Sequence, residues 1–195
     1  MKRAAGSPAR STAFHGVEGL WVFIVADMSF FAVLFVSYLL GLGDQAELFA
    51  RSRQSLDSDL GGFNTLVLLS SSWCLLKAVQ AARLRPAQAA VARWIAAALA
   101  LGLLFCVAKG LEYAAKIRQG ITPLSNDFFM YYFALTGLHL LHVFAGLVVL
   151  TLLWRMARQG SFKDGHLLVL EGGAVYWHMV DLLWILLFPL LYLIR

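Results

Sequence analysis

Charge is what this sequence has least of. Only 14% of its 195 residues are Asp, Glu, Lys or Arg, and 61% are hydrophobic, whereas soluble domains carry about 25% charge and about 45–50% apolar residues. That shortage excludes an ordinary soluble domain. Residues 128–154 contain no Asp, Glu, Lys or Arg at all, and a bilayer needs about 20 such residues per helical crossing. Cysteine is scarce too. Cys74 and Cys106 both fall in apolar segments, where a thiol packs as a small hydrophobe and gives no disulfide or redox signal. A small-residue cleavage site soon after the first apolar run is missing, so no cleavable signal is expected. No internal repeat and no span broken at mid-depth by Pro or a Gly pair is evident, which speaks against a repeat-built transporter. The net charge of +5 is no nucleic-acid signal, because the basic residues sit at segment ends, where membrane topology needs them.

What is there predicts an all-α integral membrane protein, a bundle of five transmembrane helices with no soluble domain. The spans are expected at about 17–42, 63–82, 94–113, 128–154 and 171–195. Residues 1–14 read as a basic cytoplasmic tail and 15–195 as the five-helix domain. Residues 43–60 read as a polar loop, with Gly61-Gly62 opening the second helix. The SSSWC run in that helix offers small hydroxyl residues where two helices can approach closely. Pro86 lies at or just beyond the end of the same helix. Asn126-Asp127 can cap the fourth helix. Lys2, Arg3, Arg10, Arg83, Arg85, Arg93, Arg155, Arg158 and Lys163 fall on one side. Arg51, Arg53, Lys116, Arg118 and Arg195 fall on the other. The positive-inside rule then places the N-terminus in the cytoplasm and the C-terminus outside.

The few ionisable residues inside the spans draw the chemistry to them. EGGAVYWHMVDLLWILLFP (171–189) holds His178 and Asp181 three residues apart, on one face of a helix. A charged group at mid-membrane costs on the order of 2.5–3.5 kcal/mol on insertion scales, so these groups are expected to face protein or water. Asp27, Glu112, His139 and His142 are the other candidates, and the expectation is one bundle closed around them all. His139 and His142 are a turn apart in TGLHLLHVFAG. Such a pair can bind metal or hydrogen-bond to neighbouring helices, and the shortage of further converging ligands favours the second. No metal or haem of its own is expected. Asp27 admits a proton-relay role or a plain hydrogen bond to a neighbouring helix. Glu112 can pair with Lys109 near the membrane surface.

Together these segments resemble subunit III of the haem-copper oxidases. EGGAVYWHMVDLLWILLF is similar to that family's last helix, with its Tyr-Trp-His-x-Val-Asp-x-x-Trp signature. ALTGLHLLHVFAG is similar to the helix before it, with Thr-Gly-x-His-x-x-His-Val. KGLEYAAKIRQGITPLSNDFF resembles the Glu-Tyr segment and its loop, and NTLVLLSSS and GLWVFIVADMSFFAVLF match in character. The likeness runs from Gly16 onward and fits the five-helix form, without the two extra N-terminal helices of longer members. It implies a non-catalytic accessory subunit in the bacterial inner membrane that carries no haem, copper or iron itself. Such a subunit packs beside the haem-copper catalytic subunit, which holds those metals. It also binds membrane phospholipids in a cleft, supports assembly, proton uptake and durability, and has no nucleic-acid partner. Where the family has Ser-Glu in the first of these helices, this chain has Ala26-Asp27, and the shorter side chain retracts the acid. The first-helix reading Trp-Val-Phe-Ile-x-x-Asp-Met looks more like the branch associated with nitric-oxide reductase. The rival readings are a small membrane redox protein using the histidines and a proton-coupled transporter, each acting on its own.

Overall fold

The computed structural model describes residues 11–84, 88–159 and 166–194. Among these it is helical: α1 (Ser11–Asp44), α2 (Ala46–Arg53), α3 (Ser58–Arg83), α4 (Gln88–Arg118), α5 (Asp127–Arg158), α6 (His166–Phe188) and a π-helical turn, Pro189–Leu193. Five helices are long and apolar enough to cross a membrane: α1 from Gly19, α3, α4 from Ala89, α5, and α6 with the terminal turn. The expected all-α architecture of five spans is therefore what the chain adopts. The basic residues Lys2, Arg3, Arg10, Arg85, Lys163 and Arg195, and Pro86, lie outside the described residues.

The boundaries differ from the sequence-based ones in informative ways. Residues 11–14, assigned to the tail, are already helical. The segment 43–60 is not a plain loop, because α2 folds within it and buries Phe49 completely against the rings of Tyr38, Phe128 and Tyr131. The second spanning helix, α3, starts before Gly61-Gly62. Asp57 caps it, its Oδ1 accepting from the amides of Asp59 (3.0 Å) and Leu60 (3.1 Å), which satisfies two of the orphan amides of a first turn. Gly61 serves instead as a close-approach site, since a Cβ there would lie 2.7 Å from the ring of Phe188. Asn126 caps α5 through Phe129 N at 2.9 Å. Helix α6 opens at His166, five residues ahead of the stretch read as its start.

Helices α3 to α6 form the bundle. Ser71 Oγ donates to the Ala98 carbonyl of α4 at 2.8 Å, so the small hydroxyl run does mark a close crossing. Trp177 of α6 fills the seam between α4 and α5, and glycine makes room for it. A Cβ at Gly146 would lie 2.6 Å from the indole, and one at Gly102 2.9 Å away. Helix α1 stands apart. Only 6% of its most apolar stretch is buried, against 33–56% for the other spans, and it meets the bundle along α5 and α6.

Candidate functional site

The ionisable residues do not meet in one centre. Helix α5 sends its two histidines to different partners, because residues three apart diverge by about 60° at 3.6 residues per turn. His142 reaches α1, with Nε2 lying 3.0 Å from Asp27 Oδ1, both side chains about nine-tenths buried. Its Nδ1 sits 2.8 Å from the Leu138 carbonyl of the preceding turn. The Phe31 ring meets the imidazole edge-on at 5.6 Å, and Tyr176 OH donates to the His142 carbonyl at 3.2 Å. A carbonyl only accepts, so Nδ1 carries its hydrogen. One further proton then lies between His142 and Asp27, either as a carboxylic acid donating to Nε2 or as imidazolium facing carboxylate. The second oxygen of Asp27, Oδ2, is buried without a hydrogen-bond partner among the described residues.

His139 turns inward. It is fully buried, its Nε2 lies 3.0 Å from the Val180 carbonyl of α6, and it packs against the rings of Phe105 (5.7 Å) and Trp184 (5.2 Å). By the same reasoning its Nε2 carries the hydrogen. Asp181 is 5% exposed, faces Ser72 of α3, and has Oδ1 without a partner among the described residues. His178 is half-buried on α6. No hydrogen bond among the described residues joins His178 or Asp181 to the Asp27–His142 pair, so the groups around which the bundle is expected to close occupy separate sites within it. Among the described residues no three of His, Cys, Asp and Glu come together as metal ligands do.

The densest polar cluster lies elsewhere. Lys109 and Glu112 pair at 3.0 Å, as their spacing suggests, with side-chain exposures of 1% and 3%, inside the bundle. Glu112 Oε1 accepts from Tyr132 OH (2.7 Å) and Tyr192 OH (2.5 Å). Lys109 Nζ donates to the same two hydroxyl oxygens, at 3.2 and 2.9 Å, and lies 5.1 Å from the Trp184 ring centre. Ammonium and carboxylate thus find their partners within one ring of groups, which is the condition for burying an ion pair. Tyr132 is not singled out by the sequence, and Tyr192 reads there as packing or an interfacial anchor. Tyr132 carries no signal beyond a hydroxyl-bearing aromatic in an apolar span, and Tyr192 reaches Glu112 from the π-helical turn Pro189–Leu193. Just beyond, Arg53 donates to the Leu191 carbonyl (3.2 Å) and to Tyr38 OH (3.1 Å), and Lys116 donates to the Ser55 carbonyl. These contacts bind α1, α2, α4 and the chain's last turn into one end of the bundle.

A membrane-embedded helical scaffold that isolates a one-proton acid–histidine pair from a closed ion-pair ring is the class these features define. A family model described as Cytochrome c oxidase subunit III matches residues 10–194. The Synechocystis protein named "Cytochrome c oxidase subunit 3" is 32% identical over 96% of this chain and 82% of its own length. The Thermostichus vulcanus protein of that name is 31% identical over 91% and 87%. The "Cytochrome bo(3) ubiquinol oxidase subunit 3" of Buchnera aphidicola is 29% identical over 90% and 84%. The chain belongs to the cytochrome c oxidase subunit III family.

Proposed function

We propose that this chain is a non-catalytic accessory subunit of a haem-copper oxidase, embedded in a bacterial membrane and packed beside the subunit that holds haem and metal. The observation that carries this is the family match, which runs from residue 10 to 194. The distribution of ligands agrees, since His139 and His142 are committed to a backbone carbonyl and to Asp27. Relatives of comparable identity are named for cytochrome c and for ubiquinol oxidases, and the family role common to both is the conclusion. The nitric-oxide-reductase-associated branch is the second reading. It rests on the first-helix sequence around Ala26-Asp27.

Within that role the Asp27–His142 pair is the proton-bearing candidate, supported by the donor count above. Glu112 and His139 serve as polar ties between helices, and His178 and Asp181 are candidates for that polar network or for a lipid cleft. Phospholipid contact is supported by the apolar side chains that α1, α3 and α5 leave exposed, Val22, Val33, Leu66 and Leu141 among them.

Tagging this chain and purifying it in mild detergent from its native membrane tests the reading. The expected result is a stoichiometric haem-copper subunit in the same peak, with oxygen reduction, or nitric-oxide reduction for the second reading. A chain that comes out alone with its own Soret band, or that moves protons by itself in liposomes, would return the function to one of the rivals.

A further inference from the structure

We propose that the ring around Lys109 and Glu112 is redox-active. Tyr132 and Tyr192 form a site that holds one oxidising equivalent as a neutral tyrosyl radical, with the released proton on Glu112. The site is a sink for a high-potential one-electron oxidant of the kind that oxygen reduction generates. It rests on the accessory role and gives the support of a partner's durability a chemical form. The geometry supplies what oxidation of a phenol requires. A phenol gives up an electron most readily when its proton leaves with it, and the acceptor must lie within hydrogen-bond reach. Both phenols have such an acceptor, and it is one atom: Glu112 Oε1, 2.7 Å from Tyr132 OH and 2.5 Å from Tyr192 OH. Lys109 occupies the other carboxylate oxygen at 3.0 Å, which leaves Oε1 to take the proton. Lys109 Nζ also donates to both phenolic oxygens, at 3.2 and 2.9 Å, so an oxygen that has lost its hydrogen keeps a donor.

In the step, a tyrosine loses one electron to the oxidant and one proton to Oε1, leaving a neutral phenoxyl beside a carboxylic acid. One electron from the donor that feeds the partner, with return of the proton, restores the phenol. Oε1 takes a single proton, so two phenols sharing it hold one equivalent between them. The phenols, and not the nearby indole, are where the equivalent rests. Trp184 Nε1 donates to the Thr65 hydroxyl at 3.0 Å, which is no base, so an oxidised Trp184 would stay cationic. Its ring centre lies 5.1 Å from the Lys109 ammonium, and like charges at that distance repel. The phenoxyl carries no charge and escapes that penalty. Tyr132 lies 6.5 Å from the Tyr192 ring and 6.0 Å from that of Tyr113, within the contact range of aromatic pairs, so electrons pass between touching rings. Tyr132 and Tyr192 are 0% and 4% exposed, and a site closed to water protects a reactive intermediate from side reactions.

The test uses the oxidised, detergent-solubilised complex, mixed with hydrogen peroxide and freeze-quenched, with organic radicals read by electron paramagnetic resonance. The wild type is expected to show a tyrosyl signal that narrows when the cells are grown on ring-deuterated tyrosine. The part of that signal lost in the double variant Tyr132→Phe/Tyr192→Phe belongs to this chain. It should approach one spin per chain and not exceed it. Each single variant leaves one phenol on Glu112 and should keep a signal of altered line shape, which decides the matter if the double variant does not assemble. Tyr131→Phe removes a tyrosine outside the ring and should leave the signal unchanged. Equal signals in wild type and double variant overturn the proposal, as do unaltered line shapes in both single variants or a signal that disappears in Tyr131→Phe. A loss close to two spins per chain overturns the shared proton acceptor. A complex that assembles and turns over without this radical removes the site and spares the accessory role. A chain that purifies alone removes that role. Flash oxidation of the lone chain by a ruthenium polypyridyl with persulfate then tests the ring itself, and a missing tyrosyl signal there overturns the site as well.

Discussion

Because a carbonyl can only accept, the contact between His142 and Asp27 calls for one proton between them, whichever atom it rests on. Asp27→Asn keeps the size of the side chain and can still donate to Nε2 of His142, but it has no proton to release. The expected outcome is a complex that assembles normally and loses sustained turnover, whereas Asp27→Ala also loosens α1, which has few other buried contacts. Following oxygen or nitric-oxide reduction over many turnovers at several pH values checks this, and full, durable turnover by Asp27→Asn would make the acid structural. The Lys109–Glu112 ring makes the opposite kind of prediction, one about stability. Tyr192→Phe removes one donor to the buried Glu112 carboxylate and one acceptor of Lys109, and should cost about 1–3 kcal/mol. Glu112→Gln leaves a buried ammonium without its counter-charge and should cost about 3–5 kcal/mol. Thermal melts of the two variants should rank in that order, and equal melts would mean that Lys109 finds another acceptor. Spacing made the pairing of Lys109 with Glu112 legible in the sequence. Its depth was not, because depth is decided by Tyr132 and Tyr192 arriving from α5 and the last turn.

Hydropathy alone located the five spans, since each is longer than a bilayer is thick and little else explains such runs. Helix α2 escaped that reading because eight residues, half of them polar, are too few to show an apolar period. Its support is tertiary, the insertion of Phe49 among Tyr38, Phe128 and Tyr131. Gly61-Gly62 misled for a related reason. Glycine pairs commonly break a helix, but Gly61 here is the space into which Phe188 packs. The same logic applies where Trp177 crosses α5. Gly146→Ala would place a Cβ 2.6 Å from a rigid indole, and such overpacking costs about 1–3 kcal/mol. Gly110→Ala meets nothing within 4 Å and should be neutral or mildly stabilising, as alanine is favoured over glycine in a helix. Parallel melts of the two variants separate the seam from a general intolerance of substitution, and an unchanged Gly146→Ala would show that α5 and α6 can part without cost.

Charge sorts the molecule from end to end. At the end where α3 finishes and α4 starts stand Arg83, Arg93, Arg155 and Arg158, with Glu171 pairing one of them. At the opposite end Arg51, Arg53, Lys116 and Arg118 are set against Asp44, Glu47, Asp57, Asp59 and Asp127. Two of those four cations, Arg53 and Lys116, are buried and spent on backbone carbonyls. The asymmetry is therefore sharper in the fold than in a count of Lys and Arg, and by the positive-inside rule we propose that the α3–α4 end faces the cytoplasm. Single-cysteine labelling checks this in a chain with Cys74 and Cys106 replaced by alanine. Leu124, 95% exposed in the segment joining α4 to α5, should react as Leu124→Cys with a membrane-impermeant maleimide added to intact cells. Gln159→Cys, at the C-cap of α5, should react only after permeabilisation. The reverse pattern would turn the molecule over and place the Lys109–Glu112 ring at the cytoplasmic end.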